Sequence, residues 1–173
     1  VRQANLRRAA LLERELGEDE RALEAVLSVL SSDPGDREAL ETSARLHYRL
    51  GRWEGAAAAL QRLVEESAPG EQALLLLQLA EVEERSLSLP ERAEQHVAQA
   101  ATLCALVPEA GDALVSHLVQ RGRAEGLEAL LGQVLATAPA RAPGIVSLRL
   151  LRAQNLAERL SRPDDAEREI RQA

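Results

Sequence analysis

The heptapeptide LGEDERA at residues 16–22 returns 34 residues later as LGRWEGA at residues 50–56. A second pair of similar stretches, LPERAE at residues 89–94 and RPDDAE at residues 162–167, lies 73 residues apart, which is about two such intervals with a few residues inserted. Recurrence at a nearly constant interval of 20–50 residues is the signature of a repeat architecture. The sequence therefore predicts stacked copies of one supersecondary unit.

The predicted unit is a pair of helices. All seven prolines fall where the apolar spacing breaks, and between these breaks apolar residues recur three and four positions apart, as in helices with one buried face. The apolar residues are mainly Leu and Ala, which are strong helix formers, and Asp36 is suited to cap the third helix. We predict helices over residues 2–16, 18–31, 36–50, 53–67, 70–86, 90–105, 109–121, 124–137, 142–160 and 163–173.

Small residues at fixed positions link this pattern to a known family. With units counted from Gln3 and Arg37, and one extra turn residue in the third unit, the eighth and twentieth positions hold Ala10, Ala22, Ala44, Ala56, Ala80 and Ala93. The pattern resembles the tetratricopeptide repeat (TPR), in which two antiparallel helices cross closely at these positions. Trp53 and Pro34 match the aromatic after the turn and the closing proline of that family.

The resemblance implies an all-α fold, a right-handed solenoid of about five antiparallel helix pairs. The units would cover residues 3–36, 37–70, 71–107, 108–141 and an incomplete 142–173, within a single domain over 1–173 that we expect to be a fragment of a longer protein. The departures are Leu6 and Leu40 where the family usually has Trp, and Val115 and Leu127 where it has small residues. A related helical-pair repeat or an irregular helical bundle therefore stays open.

Charge and hydropathy exclude several classes of partner. The formal net charge is −7, whereas nucleic acids and anionic membranes attract clustered positive charge. No apolar run approaches the about 20 residues of a membrane span, so we expect neither nucleic-acid binding nor direct membrane insertion. Every basic residue is Arg, which we interpret as codon bias of a GC-rich bacterial genome. The compartment is left open, with the cytoplasm favoured.

No pattern in the sequence predicts catalysis, a cofactor or a metal site. His47, His96 and His117 fall in different units without ligand spacing, and Cys104 lies among apolar residues, as expected of a buried thiol. The acidic pair at residues 83–84 is interpreted as part of a solvated helix face. We therefore predict that the chain is not an enzyme.

The resemblance also implies a binding surface along the first helices of the units. In the first three units, the residues at the inner-face positions of that family are Arg7, Leu11, Arg14, Glu41, Arg45, Tyr48, Arg49, Leu74, Leu77, Glu81 and Arg85. Because arginine forks pair with carboxylates, we hypothesise that this groove holds an acidic or carboxylate-bearing segment with an apolar residue alongside. The alternative is that the arginines are solvated or pair with Glu15, Glu38 and Glu41. The Lys/Asn carboxylate clamp of some TPR proteins is not expected, since Lys is absent.

Together these features predict a protein–protein interaction scaffold that binds a partner protein or peptide, with homo-oligomerisation through exposed terminal helices as a further expectation. One alternative is a sensor domain that controls an attached output domain by binding a ligand or peptide, for which a deep closed pocket would be expected. A third is an enzyme on a helical-repeat fold, which would need polar groups converging in a cavity, and the sequence offers none.

Overall fold

In the computed structural model, the described residues are 2–107, 111–119, 124–139 and 141–173. Within these ranges the chain forms helices and turns and contains no strand, as predicted. The helices are α1 (Arg2–Arg14), α2 (Asp19–Ser32), α3 (Arg37–Arg49), α4 (Trp53–Glu66), α5 (Pro69–Arg85), α6 (Pro90–Cys104), α7 (Gly111–Val119), α8 (Ala124–Thr137), α9 (Ile145–Glu158) and α10 (Pro163–Gln172). The predicted ends agree to within three residues, although those of the seventh helix lie outside the described residues.

Contacts within the chain define two compact bodies. The N-terminal body comprises residues 1–67 and 78–93, and the C-terminal body comprises residues 68–77 and 94–173. Helices α5 and α6 contribute residues to both bodies. The single domain over residues 1–173 and its division into five units stay predictions.

The N-terminal body is built from consecutive helix hairpins. Helix α1 packs on α2, α2 on α3, and α3 on α4, and the core between the first three is made of Leu, Ala and Val side chains. The alanines predicted at close crossings, Ala22, Ala44 and Ala56, are buried, while in α1 the most buried alanine is Ala9 and Ala10 is only partly buried. Small side chains at these positions let the helix axes approach.

Asp36 joins the starts of two helices in this body. Its side chain caps α3, as predicted, by accepting a hydrogen bond of 3.0 Å from the backbone N–H of Ala39. The same carboxylate is nearly buried and accepts hydrogen bonds from the guanidinium of Arg2 in α1. The hydrogen bond from Arg2 and the one from Ala39 lower the pKa of Asp36, against the opposing effect of desolvation. The charged form of Asp36 therefore stabilises the start of α1 and the start of α3.

Two turns of the N-terminal body are formed at glycine. Gly17 and Gly51 adopt left-handed backbone conformations, with φ of 63° and 67°. Residues that carry a Cβ atom disfavour this conformation. After α3 the N–H of Gly51 donates to the carbonyl of Tyr48 at 3.1 Å and the N–H of Arg52 donates to that of His47 at 2.9 Å. This is a Schellman motif, and it ends α3 so that α4 can turn back against it.

The turn between paired helices recurs with the same hydrogen bond. Gly17, Ser88 and Ser161 all adopt left-handed conformations. The N–H of the next residue donates to a carbonyl six residues earlier in each case, from Glu18 to Leu12 at 2.9 Å, from Leu89 to Glu83 at 2.9 Å, and from Arg162 to Leu156 at 2.8 Å. These equivalent turns recur 71 and then 73 residues apart, about two repeat lengths each time. They accompany an all-α, helical-repeat fold, which is the predicted fold class.

In the C-terminal body, α7 packs on α8 and α9, α8 on α9, and α9 on α10. Gly144, at the start of α9, donates its N–H to the carbonyl of Ala105 at 2.9 Å, and a Cβ there would overlap the carbonyl oxygens of Cys104 and Ala105. Cys104 is buried, as expected, and burial raises the pKa of its thiol to about 11. The thiol is therefore protonated at neutral pH.

A half-buried ion network ties together the last three helices. Arg152 of α9 donates to Glu128 of α8 at 2.6 Å and to Glu169 of α10 at 2.7 Å, and Arg149 donates to Glu169 at 3.0 Å. Each of these side chains exposes less than a quarter of its surface. The network holds α8, α9 and α10 in one arrangement. Among the described helices, none is both long and apolar enough to cross a bilayer.

Candidate functional site

The candidate binding residues of the N-terminal body lie mainly on α1 and α3. Arg7, Leu11 and Arg14 are spaced four and three residues apart on α1 and therefore share one face. Helix α3 carries the other four in a similar pattern. We call these seven residues the α1/α3 surface: Arg7, Leu11, Arg14, Glu41, Arg45, Tyr48 and Arg49. All seven are exposed.

Glu13 joins the two helices of this surface. Its carboxylate accepts two hydrogen bonds of 2.9 Å from the guanidinium of Arg45 and one of 3.0 Å from Arg49. Arg49 also forms an ion pair of 2.9 Å with Asp19 at the start of α2. Only 8% of the Glu13 side-chain surface is exposed, whereas about half of the Arg45 side chain remains accessible. The buried carboxylate therefore fixes two arginines whose outer faces stay open to solvent.

The electrostatics of Glu13 follow from this geometry. The hydrogen bond from Arg45 lowers the pKa of Glu13, and the charges of Arg45, Arg49 and Arg14 lower it further, while desolvation acts in the opposite direction. Glu13 is thus held in its charged form. Glu13 orients Arg45 and Arg49 and lies largely beneath them, so its role is to position these arginines.

The acids that hydrogen-bond Arg45 and Arg49 are not those named from the sequence, although the charge of Glu41 does act on Arg45. Glu41 pairs with Arg37 at 2.9 Å on its own helix, and Glu38 pairs with Arg2 at 3.5 Å. The acidic groups that offset Arg45 and Arg49 are Glu13 and Asp19, and Glu13 is 32 residues before Arg45. The missed signal was an acid in α1 about one repeat before a pair of arginines in α3.

Arg7, Leu11 and Arg14 form the open edge of the surface. Leu11 exposes 60% of its area, a high value for a large apolar side chain in this chain. Arg7 and Arg14 form no ion pair within the described ranges, and Arg14 affects Glu13 only through its charge. This edge is therefore an apolar side chain between two cations whose charge is not offset by a direct partner.

Tyr48 is the aromatic part of the surface. Its ring contacts that of Trp53 edge-on, with ring centres 5.1 Å apart and planes at 85°, a favourable geometry for aromatic pairs. Tyr48 nevertheless exposes 51% of its area. One side of the ring is fixed by Trp53 and the rest is free to contact a partner.

His47, beside Tyr48 on α3, packs against α4. A Cβ on Gly55 would overlap the His47 ring, so glycine there makes room for the imidazole. Burial lowers the pKa of His47, as does the charge of Arg52, and its Nδ1 atom is buried without a hydrogen-bond partner in the described part of the chain. The His47 ring therefore has a structural role, packed between α3 and α4.

The other predicted groove residues are arranged differently. Glu81 and Arg85, in the N-terminal body, pair with each other at 2.7 Å along α5. Leu74 and Leu77 belong to the C-terminal body, where Leu74 is 43% exposed and Leu77 only 5%. The structure therefore collects seven of the eleven candidates on α1 and α3, and Leu77 presents almost no free surface.

A separate open pocket of about 400 Å³ lies in the N-terminal body. The pocket is lined by one face of α4, by Leu79 of α5, by the turn before α6 and by Arg92 of α6.

Arg92 also forms an ion pair of 3.2 Å with Glu83. Glu83 is fully buried, so its interpretation as a solvated surface residue was wrong.

The described residues contain no group of three or more His, Cys, Asp or Glu side chains placed to hold a metal ion. The chemistry that the α1/α3 surface offers is recognition: guanidinium groups for carboxylates, a leucine for apolar contact and a tyrosine that can do both.

Comparison with known proteins gives a likeness of structure but not of family. No protein-family model and no curated protein matches the chain. Among solved structures, the chain is similar to the crystal structure of a thermophilic TPR protein from Thermus thermophilus, with 22% sequence identity and a TM-score of 0.49, over 98% of this chain and 88% of that one. By its own paired helices and recurrent turns, the described part of the chain has an all-α, helical-repeat fold.

Proposed function

We propose that this chain is a protein–protein interaction scaffold and that a partner protein or peptide docks on the α1/α3 surface. The observation that carries the proposal is the exposure of Leu11 and Tyr48, at 60% and 51%, on two helices that Glu13 joins. Exposed aromatic and apolar side chains among arginines are typical of the anchors of protein interfaces.

The fixed arginines add to this argument. Ordering a long side chain on binding costs about 0.5–1.5 kcal/mol, and Arg45 and Arg49 are already held by Glu13 before any partner arrives. A surface organised in advance loses less entropy when it binds. Helical repeats also suit this role, because adjacent pairs place equivalent helix faces side by side as an extended binding surface.

Affinity capture from the native cell extract tests the proposal. The bait is the tagged chain, and it is compared with the double variant Leu11→Ser/Tyr48→Ser. The control is Leu27→Ser, because Leu27 is also an exposed leucine, at 42%, but lies on α2 outside the α1/α3 surface. Arg45→Glu/Arg49→Glu is a poorer test, since it would place four acidic groups together and strain the α1–α3 contact.

The expected result is that the double variant loses the captured partner while the control retains it. Circular dichroism must show the same helical content for all three proteins. Equal capture by all three, with the fold intact, would contradict a docking role for this surface.

A further inference from the structure

We infer that the partner is an extended acidic segment in which two carboxylates flank one apolar side chain, with the carboxylates on Arg7 and Arg14 and the apolar group on Leu11. This inference rests on the proposed function, because it specifies the chemistry of the partner at the same surface.

The local charge of the α1/α3 surface differs in sign from the charge of the whole chain. The chain as a whole carries a net charge of −7, yet the α1/α3 surface holds four arginines. Glu13 and Asp19 offset Arg45 and Arg49. The one acidic member of the surface, Glu41, is offset by Arg37 on the same helix.

Two positive charges remain, on Arg7 and Arg14. Neither forms an ion pair with any residue that the structure describes, and both side chains are exposed. Charge complementarity at an interface steers association and selects the partner. A locally cationic surface on an acidic protein therefore favours an acidic partner and disfavours a basic one.

The spacing of Arg7, Leu11 and Arg14 along α1 matches that of alternate residues in an extended segment. Arg14 lies seven positions after Arg7, which is about 10 Å along a helix axis at about 1.5 Å per residue, and Leu11 lies between them on the same face. In an extended segment, alternate residues point the same way at about 3.3 Å per residue. A Glu-Xaa-Leu-Xaa-Glu segment therefore places two carboxylates about 13 Å apart on one side, within the reach of flexible arginine side chains.

Titration by nuclear magnetic resonance with synthetic peptides tests this inference. The probe is an acetylated, amidated peptide with the core Glu-Ser-Leu-Ser-Glu. One control peptide replaces both Glu with Gln, and a second replaces Leu with Ser. The protein variants are Arg7→Gln/Arg14→Gln and the matched control Arg8→Gln/Arg62→Gln, which removes two other exposed arginines that also lack an ion pair within the described residues.

The acidic probe is expected to shift the amide signals of α1 around Leu11. Its affinity should fall on the order of tenfold when the carboxylates become amides or when Arg7 and Arg14 are neutralised, since each exposed charge pair contributes a modest factor. The control variant should bind as the unchanged protein does, and added salt should weaken binding. Equal binding of the Glu and Gln peptides, or an equal loss in the control variant, would overturn the inference.

The two proposals fail separately. If the acidic probe does not bind but Leu11→Ser/Tyr48→Ser still loses its captured partner, the scaffold stands and the acidic chemistry is wrong. If the probe does not bind and capture is unchanged in that variant, both proposals are wrong.

Discussion

Glu13 of α1 and Arg45 of α3 form a two-pronged ion pair, in which Nε and Nη2 of the arginine donate to separate carboxylate oxygens at 2.9 Å each. The two residues are 32 positions apart, nearly one repeat, so the pair joins the first helices of two consecutive hairpins. Two parallel hydrogen bonds fix orientation as well as distance. The contact therefore sets how the first hairpin meets the second and where the arginines of the α1/α3 surface point.

Removal of the Glu13 carboxylate should destabilise the fold. We expect Glu13→Ala to lower the free energy of unfolding by about 1–2 kcal/mol, a value kept modest because the arginine partners are about half exposed and screened by solvent. Urea denaturation followed by circular dichroism measures the change. Glu15→Ala is the matched control, since Glu15 is an exposed acid in the turn that follows α1, and it should have little effect. Equal losses in both variants would contradict a specific role for Glu13.

Acid should weaken the fold partly through Asp36. Because the pKa of this carboxyl is lowered in the folded protein, its contribution to stability is complete above the unfolded pKa of about 3.9 and is lost as the pH falls through the folded pKa. Asp36→Asn keeps a good helix cap but removes the charge, so it should flatten the rise of unfolding free energy with pH below about pH 4. Urea titrations at several pH values measure this slope. A slope unchanged from that of the parent protein would show that Asp36 does not carry the effect.

The absence of a side chain at Gly55 should be needed for His47 to pack against α4. A Cβ at residue 55 would overlap the imidazole, so we expect Gly55→Ala to cost about 1–3 kcal/mol, as overpacking usually does. The double variant His47→Ala/Gly55→Ala removes the clash and should lose less than the sum of the two single changes. Thermal and urea unfolding of all four proteins gives the coupling. Strict additivity would mean that the two positions do not interact.

Ser88 and Ser161 should be improved by glycine. Both adopt left-handed conformations, with φ of 55° and 54°, which cost an L-residue about 1–2 kcal/mol. We expect Ser88→Gly and Ser161→Gly each to raise the free energy of unfolding by up to about 1 kcal/mol, after the greater entropy of an unfolded glycine is included. Ser88→Ala retains the unfavourable conformation and should give no gain. A similar gain from alanine would point to another cause.

The helices could be predicted from the sequence because their signals are local. Three-and-four spacing, prolines at the joints and one capping aspartate are properties of neighbouring residues, and they placed the described ends within three positions. The largest error is the start of α9, predicted at residue 142 and observed at Ile145. The N–H of Gly144 is instead drawn to the carbonyl of Ala105, a contact between distant residues that no local pattern records.

The ion pairs of the site could not be predicted in the same way. A helical pattern tells which face a charged residue occupies but not which partner its flexible side chain reaches on another helix. The ion pair between Glu13 and Arg45 depends on the relative position of two helices, and so does the ion pair between Glu169 and Arg152. Glu83 did leave a signal, because it lies three and four residues after Ala80 and Leu79 on the buried stripe of α5, but its charge was taken to mean exposure.

Direct contact between a partner and the α1/α3 surface is measured by photo-crosslinking. A photoreactive amino acid is placed at residue 11, at residue 48 or, as control, at residue 27 on α2, and each protein is irradiated in native cell extract. We expect a common crosslinked partner from residues 11 and 48 and its absence from residue 27. A partner that crosslinks equally from all three positions, or from residue 27 alone, would contradict it.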